Sequence, residues 1–435
     1  MRRASRLLRF VALGALVAGV LVVLASFALP LAIAAGLLAI SAAAFVAVGY
    51  VSLRTDRPLR DVPGARRSIG MAARVAVDEA VLAGQSLAES APSGANLERI
   101  REEVAAAREL FELRGWLGNP RAYHRDPPSL DIMRLQTRPL TRGRGQVAYE
   151  TLTFESGYEP DAAEPGRDRW LSYSANRTAH AVVLRHAGGP RPWLVCVHGY
   201  TMGHTRFGLW IFDAIRHHRE LGLNVALPVL PFHGPRRVGR FSGEGFLGGD
   251  VLDTVHAEAQ TIWDLRRLLG WIRAQGAPRV GVHGVSLGGY NAALLAGIDA
   301  DLCCVVAGIP PVDLARLVWH HAPPPTLRLI EKAGIVRDHV TELYRVVSPL
   351  AFSPLSPESG RAIYAGIGDR LISADHPRDL WEHWGRPRIA WMQSGHDPRT
   401  GEARRLVAET LLRTRCVGPV QSAAAATATT DDCRR

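Results

Sequence analysis

Residues 10–53 carry no charged side chain. Residues 10–29 form one apolar run, long enough to cross a bilayer as a helix. Pro30 breaks it, and residues 31–53 form a second run of similar length, with Tyr50 near its end. Arg2, Arg3, Arg6 and Arg9 precede the pair, and Arg54, Arg57, Arg60, Arg66 and Arg67 follow it. The pattern predicts a transmembrane hairpin within residues 1–67, both ends on the positive, cytoplasmic side of the cell membrane. A single long anchor is the alternative. A secretory signal fits less well, because its apolar core is only ~7–15 residues long.

The next segment changes period. Apolar residues recur at helical spacing over 72–87 and again over 97–113, punctuated by Ser93-Gly94. Gly118-Asn119-Pro120 and Pro127-Pro128 then mark loops. Residues 68–146 therefore read as a helical linker region. From 147 the chain alternates. Strands are predicted at 147–154, 179–185, 192–197, 223–230, 279–283, 302–308, 362–367 and 387–392. Helices are predicted at 205–221, 253–275, 290–298, 376–384 and 401–412. In the second of these, Ile262, Leu265, Leu268, Leu269 and Ile272 mark an inner stripe. Strands alternating with helices imply a largely parallel sheet covered on both faces. Residues 311–358 interrupt the alternation and read as a lid. One α/β domain is thus expected over 147–416, followed by a disordered tail at 417–435, rich in Ala and Thr.

Charge changes the picture little. The net charge is +11, but residues 1–67 hold nine Arg and two Asp, +7 of that total. The excess reports membrane topology, and no basic run interleaved with aromatics suggests nucleic acid as a partner. Cys196, Cys303, Cys304, Cys416 and Cys433 show no Cys-x-x-Cys pair and no metal spacing. Adjacent His320 and His321 lack zinc spacing as well, so no metal is expected.

The chemistry centres on Gly284-Val285-Ser286-Leu287-Gly288, set between a predicted strand and a predicted helix. That context makes it a nucleophile elbow, a tight turn that lifts the Ser286 hydroxyl into a cleft. A serine needs a base, and the base an orienting acid, in the chain order Ser, Asp or Glu, His. Asp369 follows the strand at 362–367, and His396 follows the strand at 387–392. Asp313 and Asp375 are rival acids. An oxyanion needs two backbone N–H donors. Leu287 is the expected first. Tyr200, in the loop after His198-Gly199, is the expected second, with Thr201 as its alternative. Arg236 and Arg237 end a strand on the same sheet edge and are candidates for holding an anionic substrate group. Trp319, His320 and His321 lie in the lid, where packing is the simpler role.

Ser286, Asp369, His396 and His198-Gly199 together resemble the α/β-hydrolase fold superfamily of serine hydrolases over about residues 147–415. Within it, Pro231-Phe232-His233-Gly234-Pro235-Arg236-Arg237 and the long helix that follows look like the eighteenth "abhydrolase domain" group. His233 stands where that group usually has a Tyr. The resemblance implies lipid-directed acyl hydrolysis. A membrane-anchored serine hydrolase of carboxylic esters is therefore expected, without a cofactor, acting on a small-molecule or lipid ester. The same triad suits an acyltransferase or a peptidase, and the fold also occurs as a non-catalytic scaffold.

Overall fold

Two long apolar helices lead the chain, α1 (Arg2–Leu24) and α2 (Leu31–Arg54). The computed structural model describes residues 2–25, 30–88, 93–142 and 145–418. The expected first-helix segment at 26–29 and nearly all of the expected tail lie outside these residues. Leu7–Leu24 and Ala32–Arg54 are long and apolar enough to cross a membrane. Only 6% and 17% of these windows are buried, so neither is the core helix of a soluble domain. α3 (Ile69–Ala88) packs across both. Its Met71, Ala72 and Val75 meet Leu53, and its Ala80 meets Ala12 and Val48.

α4 (Gly94–Leu113) starts just after Ser93, whose hydroxyl caps it by accepting from the Asn96 N–H at 3.2 Å. Its apolar stripe, Leu97, Ile100, Val104, Ala107 and Phe111, is buried in the larger hydrophobic core. This segment is therefore part of the folded domain rather than a linker. The sheet also begins before Val147, with β1 (Arg134–Arg142) antiparallel to β2 (Gly145–Glu155). β1 is an edge strand containing Pro139, and its residues 134–139 are all exposed. With no buried face over these residues it has no apolar alternation to betray it.

Then follow α5 (Arg167–Ser172), β3 (Thr178–Leu184), β4 (Trp193–Val197), α6 (Thr205–Ile211), α7 (Ala214–Glu220) and β5 (Asn224–Val229). Residues 205–221 form two helices instead of the expected one. Asp213 breaks them at φ 47°, where its carboxylate pairs with Arg404 (2.7 Å) and Arg399 (3.4 Å). The chain continues through α8 (Val251–Ala274), β6 (Val280–Val285), α9 (Leu287–Ala296) and β7 (Cys304–Gly308). The segment expected as a lid holds α10 (Leu314–His321), α11 (Pro324–Lys332) and α12 (Arg337–Tyr344). β8 (Arg361–Gly366), α13 (Asp375–His383), β9 (Arg388–Met392) and α14 (Gly401–Arg413) complete the domain.

The nine strands form one sheet in the order β1-β2-β3-β5-β4-β6-β7-β8-β9. From β5 to β9 all neighbours are parallel, and β1, β2 and β3 join antiparallel. β4, Trp-Leu-Val-Cys-Val, shows why the sheet is covered on both faces: every residue is buried. Trp193, Val195 and Val197 face the core shared with α4, α8 and α12. Leu194 and Cys196 face the other core, shared with α6 and α14. The parallel strands thus aim their C-terminal ends at one edge.

Candidate active site

Three of those strand ends carry the site. Between β6 and α9, Ser286 sits at φ 57° and ψ −120°, a conformation side chains rarely adopt. Its N–H donates to Gly308 O at the end of β7 (2.8 Å), which holds the strained turn in place. The motif glycines are steric necessities. A Cβ at 284 would lie 1.9 Å from Gly288 O, and one at 288 would lie 1.8 Å from Val197 O. Ser286 is 9% exposed.

Asp369 lies in the loop after β8 and His396 in the loop after β9. The loops are stitched together: Ile367 N–H donates to Met392 O (2.9 Å) and Gly368 N–H to Ser394 O (3.0 Å). His396 Nδ1 is 2.7 Å from Asp369 Oδ2, and His396 Nε2 is 3.0 Å from Ser286 Oγ. A carboxylate only accepts, so Nδ1 carries the proton and Nε2 accepts from the hydroxyl. The other Asp369 oxygen accepts from the N–H groups of Leu371 (2.9 Å) and Ile372 (2.8 Å), which fixes the carboxylate plane. Burial opposes charging His396, but Asp369, Asp78 and Asp397 outweigh it and raise the imidazole above its usual range.

The rival acids are used elsewhere. Asp313 caps α10, accepting from Arg316 N–H at 2.8 Å, and Asp375 lies 3.1 Å from Arg316 Nη1. In the segment expected as a lid, Trp319 packs partly buried against the larger core. The His321 imidazole donates through Nε2 to Leu371 O, beside the Asp369 loop (2.8 Å).

The loop after β4 crosses over Ser286. A Cβ on Gly199 would lie 3.1 Å from Ser286 Cβ. His198 is a structural histidine. Its Nε2 accepts from Leu230 N–H (3.1 Å) and its Nδ1–H donates to Gly199 O (2.8 Å). Burial pushes this ring down to about 4, so it stays neutral. Tyr200 follows at once, its ring edge-on to His233 at 5.9 Å. Leu287 is the first residue of α9, where an N–H has no partner within the helix.

Arg236 is not on the cleft. It is fully buried, and its guanidinium donates to Asp264 Oδ2, Asn176 O and Val229 O, each at 2.9 Å. It ties the end of β5 to α8 instead of meeting substrate. Arg237 next to it is exposed.

Asp78 of α3 reaches the site and escaped the sequence reading: its Oδ2 accepts from His396 N–H at 2.9 Å. The available signal was an acidic pair, Asp78-Glu79, within a mostly apolar helix. Among the described residues one cluster has metal-ligating chemistry. Cys303, Cys304 and Cys416 bring their sulfurs within 4.8 Å of one another, at the end of β7 away from Ser286.

No family model matches the chain. Two proteins of Mycobacterium tuberculosis do. The uncharacterized protein MT2702 of strain CDC 1551 / Oshkosh is 44% identical over 352 residues, 80% of this chain and 82% of that protein. The uncharacterized protein Rv2627c of strain ATCC 25618 / H37Rv is 43% identical over the same shares. Among solved structures, an acetyl xylan esterase from Paenibacillus sp. R4 superposes with a TM-score of 0.46 at 13% identity, over 68% of this chain and 99% of that one. The strand order, the elbow after β6 and the loops after β8 and β9 make the fold that of the α/β-hydrolases. By its relatives, the chain belongs to the family of MT2702 and Rv2627c.

Proposed function

We propose that the protein is a membrane-anchored serine hydrolase that cleaves carboxylic esters. The observation that carries this reading is the unbroken line from Ser286 Oγ through His396 to Asp369, at 3.0 and 2.7 Å. Ser286 Oγ attacks the ester carbonyl carbon while His396 Nε2 takes the hydroxyl proton. The carbonyl oxygen becomes an oxyanion and receives the backbone N–H groups of Leu287 and Tyr200. Asp369 holds the imidazolium in place without taking its proton. Collapse breaks the bond to the alcohol, which leaves with the proton from His396. Water then attacks the acyl-serine by the same route, releasing the acid and restoring Ser286.

An acyl lipid or other membrane-dissolved ester is the substrate class this arrangement favours. Both apolar helices pack against α3, and α3 touches the His396 loop. The site therefore stands close to the bilayer, where such an ester is concentrated. The arginines flanking the hairpin support a catalytic domain on the cytoplasmic side.

A fluorophosphonate label on the detergent-solubilised protein tests the chemistry. Wild type is expected to label, and Ser286→Ala and His396→Ala are not. A folded wild type that fails to label, or a Ser286→Ala variant that labels equally, would overturn the reading. An ester panel of graded chain length, assayed in mixed micelles, then reads the substrate class.

A further inference from the structure

The α3 helix buries two neighbouring acids, Asp78 and Glu79. A buried carboxylate is costly unless something claims it. The hairpin claims Glu79. Its carboxylate accepts from Arg9 Nε on α1 (3.2 Å) and from Ser52 Oγ near the end of α2 (3.1 Å). Asp78 serves the other direction. Its Oδ2 accepts from the backbone N–H of His396 (2.9 Å) and from that of Arg370 (3.0 Å). One belongs to the base itself, the other to the residue after the orienting acid. The fit around these bonds is close. A Cβ on Gly395 would lie 2.6 Å from Asp78 Oδ2, and one on Gly368 would lie 2.4 Å from Met71 Cε and 3.0 Å from Val75 Cγ2. Arg74 of α3 adds an ion pair to Asp397 (2.8 Å), and Arg370 pairs with Asp56 beyond the end of α2.

We propose that Asp78 is a positioning residue of the serine site: one carboxylate oxygen, supplied by the helix packed on the membrane hairpin, clamps the Asp369 loop to the His396 loop. It rests on the triad reading above and adds to it that the site is complete only with α3 docked. Two donors converging on a single oxygen, from loops that between them carry the base and the acid, are what carries the inference.

The charges around the clamp are Asp369, His396 and Asp397 on the two loops, Arg370 with its partner Asp56, Arg74 and Glu79 along α3, and Arg9 on α1. Burial and then the Asp369 charge push the Asp78 carboxyl up to about 7, against the pull of His396 and the two N–H donors. Its negative form in turn favours the His396 imidazolium.

Asp78→Asn and Asp78→Ala in the full-length protein separate the two contributions. Asn keeps a carbonyl oxygen able to accept both N–H bonds and removes the charge, whereas Ala removes both. Hydrogen exchange read on the peptides holding Arg370 and His396 reports the clamp whether or not the protein turns over. In Asp78→Ala, exchange there is expected to speed up by about 10- to 100-fold, with β6 and α8 as in wild type. The rate of fluorophosphonate labelling is expected to fall in parallel. In Asp78→Asn the two amides stay protected, and the acid limb of the labelling profile moves to lower pH by about half a unit, because a neutral neighbour no longer favours the imidazolium.

Wild-type exchange at both amides in Asp78→Ala would overturn the proposal. Should Asp78→Ala unfold, exchange in the wild type decides: slow exchange at the Arg370 and His396 amides supports the clamp, and exchange at the rate of open loop amides at both overturns it. A wild type that does not label defeats the hydrolase reading alone, and the exchange measurement still decides the role of Asp78.

Discussion

Ser286 reaches the cleft only because nothing larger than hydrogen stands at 284 and 288. A methyl group at either would overlap a backbone oxygen at under 2 Å. Gly284→Ala and Gly288→Ala are each expected to lower stability by about 3 kcal/mol or more and to abolish labelling, as a melting curve beside a gel readout would show. Asp369→Asn should behave differently. Its fold stays intact while the rate of ester cleavage drops by about 10^4, because an amide in place of Oδ2 can hold the wrong imidazole tautomer. The pH dependence follows from the raised His396. The base works when neutral, so labelling of wild type should climb with pH through a midpoint above the ordinary 6.5. A midpoint below 6.5 would mean that burial wins over the surrounding carboxylates.

At the scale of elements, the structure is held by ties between segments remote in sequence. Arg236 joins the end of β5 to Asp264 of α8 through a fully buried ion pair at 2.9 Å. Removing one partner strands a charge, so Arg236→Ala is expected to cost about 3–5 kcal/mol of unfolding free energy. Exposed Arg237→Ala should stay within about 0.5 kcal/mol. Denaturant titrations of the two variants distinguish this structural role from substrate binding, which would raise KM in both without altering stability. The segment 311–358 is tied down similarly: Arg316 of α10 reaches Asp375 (3.1 Å) and Asp379 (2.7 Å) on α13, and Tyr290 of α9 donates to Val347 O (2.7 Å). These ties join it to the helix after Ser286 and to the segment beyond Asp369.

The whole molecule is a hydrolase-fold domain with two apolar helices at one end and α3 as the joint. Leu16, Val20, Leu21 and Ile40 are exposed on those helices, an apolar surface that water does not tolerate at this length. The protein is expected to stay in the membrane pellet through a carbonate wash. In spheroplasts, external protease should leave the catalytic domain intact, and in inverted vesicles it should digest it. Digestion in intact spheroplasts would place the domain on the opposite side and reverse the topology inferred from the flanking arginines.

What the chain shows without its fold is whatever a few contiguous residues dictate. The apolar runs before 54, the fully buried β4 and the glycine pair around Ser286 are local patterns with local causes. The candidates Ser286, Asp369 and His396 are local readings too, since each follows a strand recognisable by its own residues, and the fold brings their side chains together. Other features depend on partners that sequence distance hides. The Asp78 contact to His396 spans 318 residues, and the helix break at Asp213 is fixed by arginines 186 and more residues further on. Arg236 reads as a candidate for an anionic substrate group until α8 covers it. β1 gives no alternation because neither face is buried over 134–139, and Cys416 joins Cys303 and Cys304 only when the chain returns. Periodicity records which face of a segment avoids water. Only the tertiary structure decides which polar group, brought from elsewhere, a buried charge will meet.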